Sequence, residues 1–152
     1  MRAVRLAVGG LLLAAAALHA QAAKPHRLQW APAPDALPKG AKMAVVRGDP
    51  AGTGPFAVRL SMPANYRIPP HFHPTAEHVT VKVGTLLVGM GDTFNADSTK
   101  PLRKGQSGEI PARVHHFAQT RGATVIEISS TAPFAVTYVH PHDDPRNAAG
   151  TP

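Results

Sequence analysis

The amino-acid sequence predicts an all-β sandwich or barrel, and three observations carry that expectation. Glycine (13) and proline (16) make up about a fifth of the 152 residues, which favours frequent turns over long helices. Eight or nine short apolar or alternating runs are separated by turn signals at the spacing of small β domains. Beyond the N-terminal apolar run, no stretch repeats apolar residues at the 3.6-residue period of an amphipathic helix.

The length suits one domain. Hydrophobic residues are 43% and charged residues 16%, which excludes a disordered polar chain and a membrane bundle. Aromatics are 5%, so the core must come from Val, Leu, Ile and Ala. There is no cysteine, which excludes disulfides, thiolate metal sites and a cysteine nucleophile.

Residues 1–22 read as a signal peptide. Arg2 and Arg5 precede an apolar run at 6–18, and Ala20-Gln21-Ala22 is a small-x-small cleavage site. The 13-residue run is too short to cross a bilayer of ~30 Å. Export to the periplasm or the medium is expected, with no integral membrane segment in the mature chain. The formal charge of +7 falls to about +5 when Arg2 and Arg5 are removed. The remaining basic residues are scattered and lack interleaved aromatics, so nucleic acid is not an expected partner.

Residues 23–40 contain four prolines and no clear period, and read as an extended arm with Trp30 packed on the barrel wall. The barrel is expected over 41–140. Its first strand is 43–47, followed by a turn-rich loop at 48–55. Residues 56–62 alternate, with Phe56, Val58 and Leu60 on one face. After a turn at 63–65 a strand begins at 66–68, and Pro69-Pro70 stiffen the approach to His71. Residues 77–83 alternate strictly, placing Glu77, Val79, Val81 and Val83 together. Residues 85–90 follow Gly84 directly, as a hairpin or a bent strand pair. A loop is expected at 91–103 with Phe94 as an inward anchor. Further strands are expected at 106–110, 115–120, 124–130 and 134–140, and a polar tail at 141–152.

The candidate site lies in 65–84 (NYRIPPHFHPTAEHVTVKVG) and 105–116 (GQSGEIPARVHH). His71 and His73 are two apart, so on a strand they point to one side. Glu77 opens a strand face otherwise made of valines, where an unpaired carboxylate costs several kcal/mol and a nearby cation removes that cost. Imidazoles and a carboxylate are ligands that borderline divalent metals accept. A fourth ligand can come from His115 or His116; alternation sends them to opposite faces, and spacing alone does not choose. His78 reads as a surface residue. His140 and His142, with Asp143 and Asp144, imitate a ligand cluster but lie in the proline-containing tail. Tyr66 and Arg59 read as structural and surface residues.

Residues 65–84 resemble the first motif of the cupins: glycine, five residues, HxH, three residues, Glu, six residues, Gly. Residues 105–116 resemble the second: Gly, five residues, Pro-x-Gly-x-x-His. The runs IPPHFHPTAEHVTV, VGMGD and TYV…DDPR resemble small exported single-domain cupins. The resemblance implies a double-stranded β-helix, or jelly-roll cupin barrel. It also implies one metal ion on His71, His73, Glu77 and His116, since the Pro-to-His interval ends at 116. Three positions depart from the pattern. Asn65 and Arg113 stand where the motifs have glycine, and Thr120 stands where the second motif often has Asn. A turn needing positive φ at Arg113 would be strained by roughly 1–2 kcal/mol.

Such a site leaves open coordination positions. Iron or manganese is favoured, with zinc and nickel possible. The expected function is an exported metal-binding cupin, a mononuclear metal-dependent enzyme of dioxygenase, decarboxylase or isomerase type on a small polar substrate. The alternative is a non-catalytic metal or small-ligand binding or sensing module. No separate general base is identifiable. A homodimer is expected by resemblance, through outer sheets and arms.

Overall fold

The computed structural model describes residues 27–147. The expected signal peptide at 1–22, and His26, lie outside the described residues. Among the described residues, eleven strands form two antiparallel sheets. The first holds β1 (Ala31–Pro32), β2 (Lys42–Arg47), β3 (Gly54–Met62), β10 (Thr124–Ala132), β5 (Glu77–Val83) and β8 (Ser107–Ile110), in that spatial order. The second holds β11 (Thr137–Tyr138), β4 (Arg67–Phe72), β9 (His116–Thr120), β6 (Thr85–Met90) and β7 (Lys100–Arg103). The fold is the jelly roll that the sequence predicts.

Alternation explains the core. Leu60 and Met62 of β3, Val79 and Val81 of β5, and Ile126 of β10 face Ile68 of β4, Leu86 of β6 and Ala118 of β9 across the two sheets. The β5–β6 connection is the bent pair rather than the hairpin, since the two strands lie in different sheets. Gly84 is the corner, with φ of +75°, and a Cβ there would lie 2.5 Å from the Ala123 carbonyl oxygen. Only glycine fits both demands.

Several local expectations are corrected. Val83 is 51% exposed rather than inward. β5 carries one extra residue against β10 at this point, because Val125 pairs with Val83 and Ile126 with Val81. Such a bulge turns the strand end over. Residues 100–103 form β7 although Pro101 lies within them; β7 is a sheet edge, where a missing N–H is tolerated. The predicted strand at 134–140 shrinks to Thr137–Tyr138. Trp30 is 42% exposed instead of packed on the wall, because β1 joins the sheet only at its edge. Phe94 is half-buried, but it anchors its loop on the outer face of the second sheet, 5.0 Å from the Phe117 ring. The Arg67 guanidinium lies over the Phe94 ring, 5.0 Å from its centroid.

The arm is held firmly all the same. Ala31 and Pro32 pair with Met43 and Lys42, and the Ala33 N–H donates to the Ala41 carbonyl at 3.0 Å. The Tyr138 hydroxyl donates to the Ala36 carbonyl at 2.9 Å, and the Tyr66 hydroxyl donates to that of Pro38. Burial pushes Tyr66 up to about 12, so its phenol stays a donor at any ordinary pH. The arm thereby lays Leu37 against the core.

Candidate metal centre

His71 and His116 face each other on β4 and β9, which pair across a register shift between Ile68 and His71. That shift falls on Pro69 and Pro70, which have no N–H to give the ladder. His73 follows one residue beyond the end of β4, and Glu77 begins β5. All four side chains are buried. The ligand nitrogens of His71, His73 and His116 lie within 4.8 Å of one another. Glu77 Oε1 is 3.1 Å from His116 Nε2 and 3.7 Å from His73 Nε2.

The tautomers follow from the backbone. Each Nδ1 donates to a carbonyl oxygen: His71 to Pro69 at 2.8 Å, His73 to Ala135 at 2.8 Å, and His116 to Val114 at 2.9 Å. With the proton on Nδ1, each Nε2 turns a lone pair inward. His116 Nε2 has no hydrogen-bond partner despite its closeness to Glu77. A neutral His116 beside an ionised Glu77 sets two acceptors against each other, which is unfavourable in a buried site. A cation between them removes the conflict. The buried triad can therefore hold a metal ion, and the donor set of imidazoles and carboxylate suits a borderline one.

Burial lowers His71 well below the usual imidazole range, and the His116 and His73 rings add to the effect. Burial also lowers His73, against the opposing pull of Glu77 and the Ala135 carbonyl. Both rings stay neutral, as ligation requires. Their folded values lie below the unfolded one, so the unfolded chain binds more protons under about pH 6.5. The stability of chelated protein is therefore expected to fall as pH drops from about 6.5, by up to ~1.4 kcal/mol per pH unit for each ring. Urea midpoints between pH 8 and 5 in chelator check this; a flat profile refutes it, and His71→Gln should shallow the slope.

His115 points away from the cluster. It stacks on Phe72 at 5.0 Å, and its Nδ1 lies 2.6 Å from Asp92 Oδ1. His78 pairs with Glu109 at 3.0 Å on the surface, and Arg59 pairs with Glu127 at 2.8 Å on the outer sheet face. His140 Nε2 donates to the Asp92 carbonyl at 2.9 Å. His142 stacks on His140 and is well exposed.

The three departures have structural answers. Asn65 and Arg113 both adopt positive φ, +59° and +63°. The Arg113 N–H donates to the His73 carbonyl at 2.9 Å, which ties the second motif to the first. Thr120 lies away from the cluster and locks the turn at Asn65: its hydroxyl donates to the Pro63 carbonyl at 2.7 Å and accepts from the Tyr66 N–H at 3.0 Å. Arg113→Gly removes ~1–2 kcal/mol of strain and adds ~0.5–1 kcal/mol of chain entropy. A net gain of about 0.5–1 kcal/mol in urea unfolding is expected, and a loss would show that the Arg113 side chain itself stabilises the turn.

Sequence reasoning missed the three carbonyls, Phe134 and the cavity. Phe134 stacks on the His73 ring at 4.2 Å and 21°. The histidine cluster closes one part of a cavity of about 390 Å³, walled by both sheets, by Pro34, Ala36 and Leu37 of the arm, and by 134–136. Apart from the histidines, Glu77 and Arg146, every lining residue is apolar. The small polar substrate that the sequence reading favours would find no polar side chain along most of this wall.

Fold and site together define a small jelly-roll barrel with a histidine cluster buried inside it. The family model described as Cupin matches residues 50–141, and the chain belongs to the cupin family. It is similar to a germin-like protein (subfamily 1 member 1) of Arabidopsis thaliana, with 40% identity over 60 residues. That match covers 39% of this chain and 28% of the plant protein, so the chain matches under a third of that relative's length. Among solved structures, the polyketide cyclase RemF from Streptomyces resistomycificus aligns with a TM-score of 0.66 at 17% identity, covering 83% of this chain and 89% of that one. The DMSP lyase DddQ from Ruegeria pomeroyi aligns at 0.60 and 18%, covering 75% and 62%. At these identities the two structures bear on the fold alone.

Proposed function

We propose that the chain is an exported, mononuclear metal-dependent enzyme of dioxygenase, decarboxylase or isomerase type, acting on a small substrate with an oxygen-bearing group. The observation that carries this reading is the inward set of Nε2 lone pairs beside the Glu77 carboxylate, with His116 Nε2 left without a partner. In this reading 1–22 is a cleaved signal peptide, 23–40 an arm, 41–140 the barrel and 141–152 a tail. His71, His73, Glu77 and His116 hold one divalent transition metal, iron or manganese before zinc or nickel. Bound there, the ion supplies a Lewis acid with open positions, and iron adds the capacity to engage dioxygen. The Pro69, Val114 and Ala135 carbonyls keep the ring protons outward. Most of the wall around the site is apolar, which strengthens polar interactions beside it.

The other reading is a non-catalytic binding or sensing module. It is favoured by the absence, among the described residues lining the cavity, of any carboxylate, histidine, lysine or tyrosine beyond the four proposed ligands. Turnover by metal-loaded protein, abolished by His116→Ala in a folded chain, separates the two; ligand binding without turnover supports the module.

Elemental analysis of protein purified without chelator or His tag, beside His71→Ala/His73→Ala, tests the proposal. About one equivalent of metal, lost in the variant, is the expected result. Iron directs the search to oxygen uptake and manganese to carboxylate substrates. No metal in either protein, at equal thermal stability, would overturn the reading. Pairing of two chains belongs to the same proposal; Trp30, Val45 and Val46 are exposed apolar residues at or beside the β1–β2 edge. Light scattering that shows only single-chain mass would refute it.

A further inference from the structure

Resting on the metal reading above, we propose that the cavity takes a singly anionic ligand with an apolar body. A carboxylate or enolate head lies at the histidine end, and the body lies against the aliphatic wall. Charge sets the head. Three neutral imidazoles and one carboxylate around a divalent ion leave one net positive charge, which one anionic head balances.

No second anion is provided for. Among the described residues, Arg146 is the only other charged side chain lining the cavity. It is already held by Asp144, with Nε to Oδ1 at 2.8 Å and Nη2 to Oδ2 at 2.6 Å, and Nη2 also donates to the Val136 carbonyl at 3.1 Å. The guanidinium in turn holds the Asp144 carboxyl below its usual range.

The body is set by what the wall lacks. Among the described residues, no Ser, Thr, Asn, Gln, Tyr or Lys lines the cavity. The space instead runs past Leu60, Ile68, Val79, Leu86, Val88 and Ile126. A volume of about 390 Å³ is at the small end of the range for small-molecule sites, ~300–1,000 Å³. Each methylene moved from water onto such a wall strengthens binding by about 3–4-fold. Each hydroxyl left without a partner weakens it by up to about 100-fold.

Calorimetric titration of the full chain loaded with Mn(II) tests the proposal, with butanoate, hexanoate, octanoate, adipate and gluconate as probes. Affinity is expected to climb about 3–4-fold per methylene from butanoate to octanoate. Adipate and gluconate should bind at least about 30-fold more weakly than hexanoate. Val88→Thr should weaken octanoate several-fold while elemental analysis still finds the metal. Affinities independent of chain length, gluconate or adipate binding as tightly as hexanoate, or an unaffected Val88→Thr would each overturn the inference with the metal reading intact. Failure of the metal reading shows separately, as protein that takes up no Mn(II); the inference then falls too, because its head has no anchor.

Discussion

Glu77→Gln is expected to weaken metal affinity by more than about 100-fold and, in metal-free protein, to raise stability by ~1–3 kcal/mol. The first effect follows from loss of the one anionic group in the proposed donor set; even groups that merely orient a ligand cost about 10–100-fold when removed. The second has the opposite sign because the metal-free site is in conflict with itself. The buried carboxylate lies 3.1 Å from His116 Nε2, and His116 Nε2 has no hydrogen-bond partner. An amide at 77 carries no charge to bury and can donate to that nitrogen. If the site were instead an ion pair between Glu77 and a protonated His116, the same change would destabilise by ~3–5 kcal/mol. Urea unfolding of wild type and Glu77→Gln in chelator, beside a Mn(II) titration of each, reads both numbers. Loss of stability in chelator would mean that the cluster is a structural pair.

Phe117→Ala is expected to cost ~3–5 kcal/mol. Phe117 is fully buried, yet alternation along β9 sends it away from the cavity that its neighbours His116 and Ala118 line. It is covered from outside by Phe94, and its ring lies over Gly89 of the paired strand. A Cβ at Gly89 would come within 2.1 Å of the Phe117 ring, so Gly89→Ala should also destabilise, by ~1–3 kcal/mol. The double variant should lose less than the two losses combined, because the small side chain at 117 relieves the crowding at 89. Strict additivity in thermal or urea unfolding would show that the two positions do not share this packing. Gly122→Ala is a useful reference, since a Cβ there meets nothing within 4 Å and φ is not in the left-handed region.

The strands nearest the site are the most legible in the sequence. Residues 77–83 and 85–90 are bounded to the residue, because strict alternation and Gly84 leave little freedom. The HxH pair and the carboxylate among valines mark the cluster by residue type and spacing alone. The choice between His115 and His116 does not follow from spacing, since adjacent strand residues differ only in which face is inside. What stays hidden is non-local or carried by backbone. The Ala135 carbonyl lies 62 residues from His73. Pro101 masks β7, because its meaning depends on whether the strand is an edge. The cavity is invisible because Leu60, Ile68, Val79 and Ile126 read simply as core, and sequence does not say that a core has a hollow beside it.

The acceptors that aim the three rings are backbone oxygens of Pro69, Val114 and Ala135. No side-chain substitution at those positions deletes them, whereas an Asp or Glu in the same role disappears with one codon change. The orientation of the cluster is therefore buffered against mutation, and two of the three carbonyls travel with their own histidine two residues later in the chain. The weak points move to whatever sets the path of the main chain: the register shift at Pro69-Pro70, the left-handed turn at Arg113, and the short stretch that brings Ala135 across to His73. The apolar wall of the cavity can change while the ring geometry is inherited unchanged.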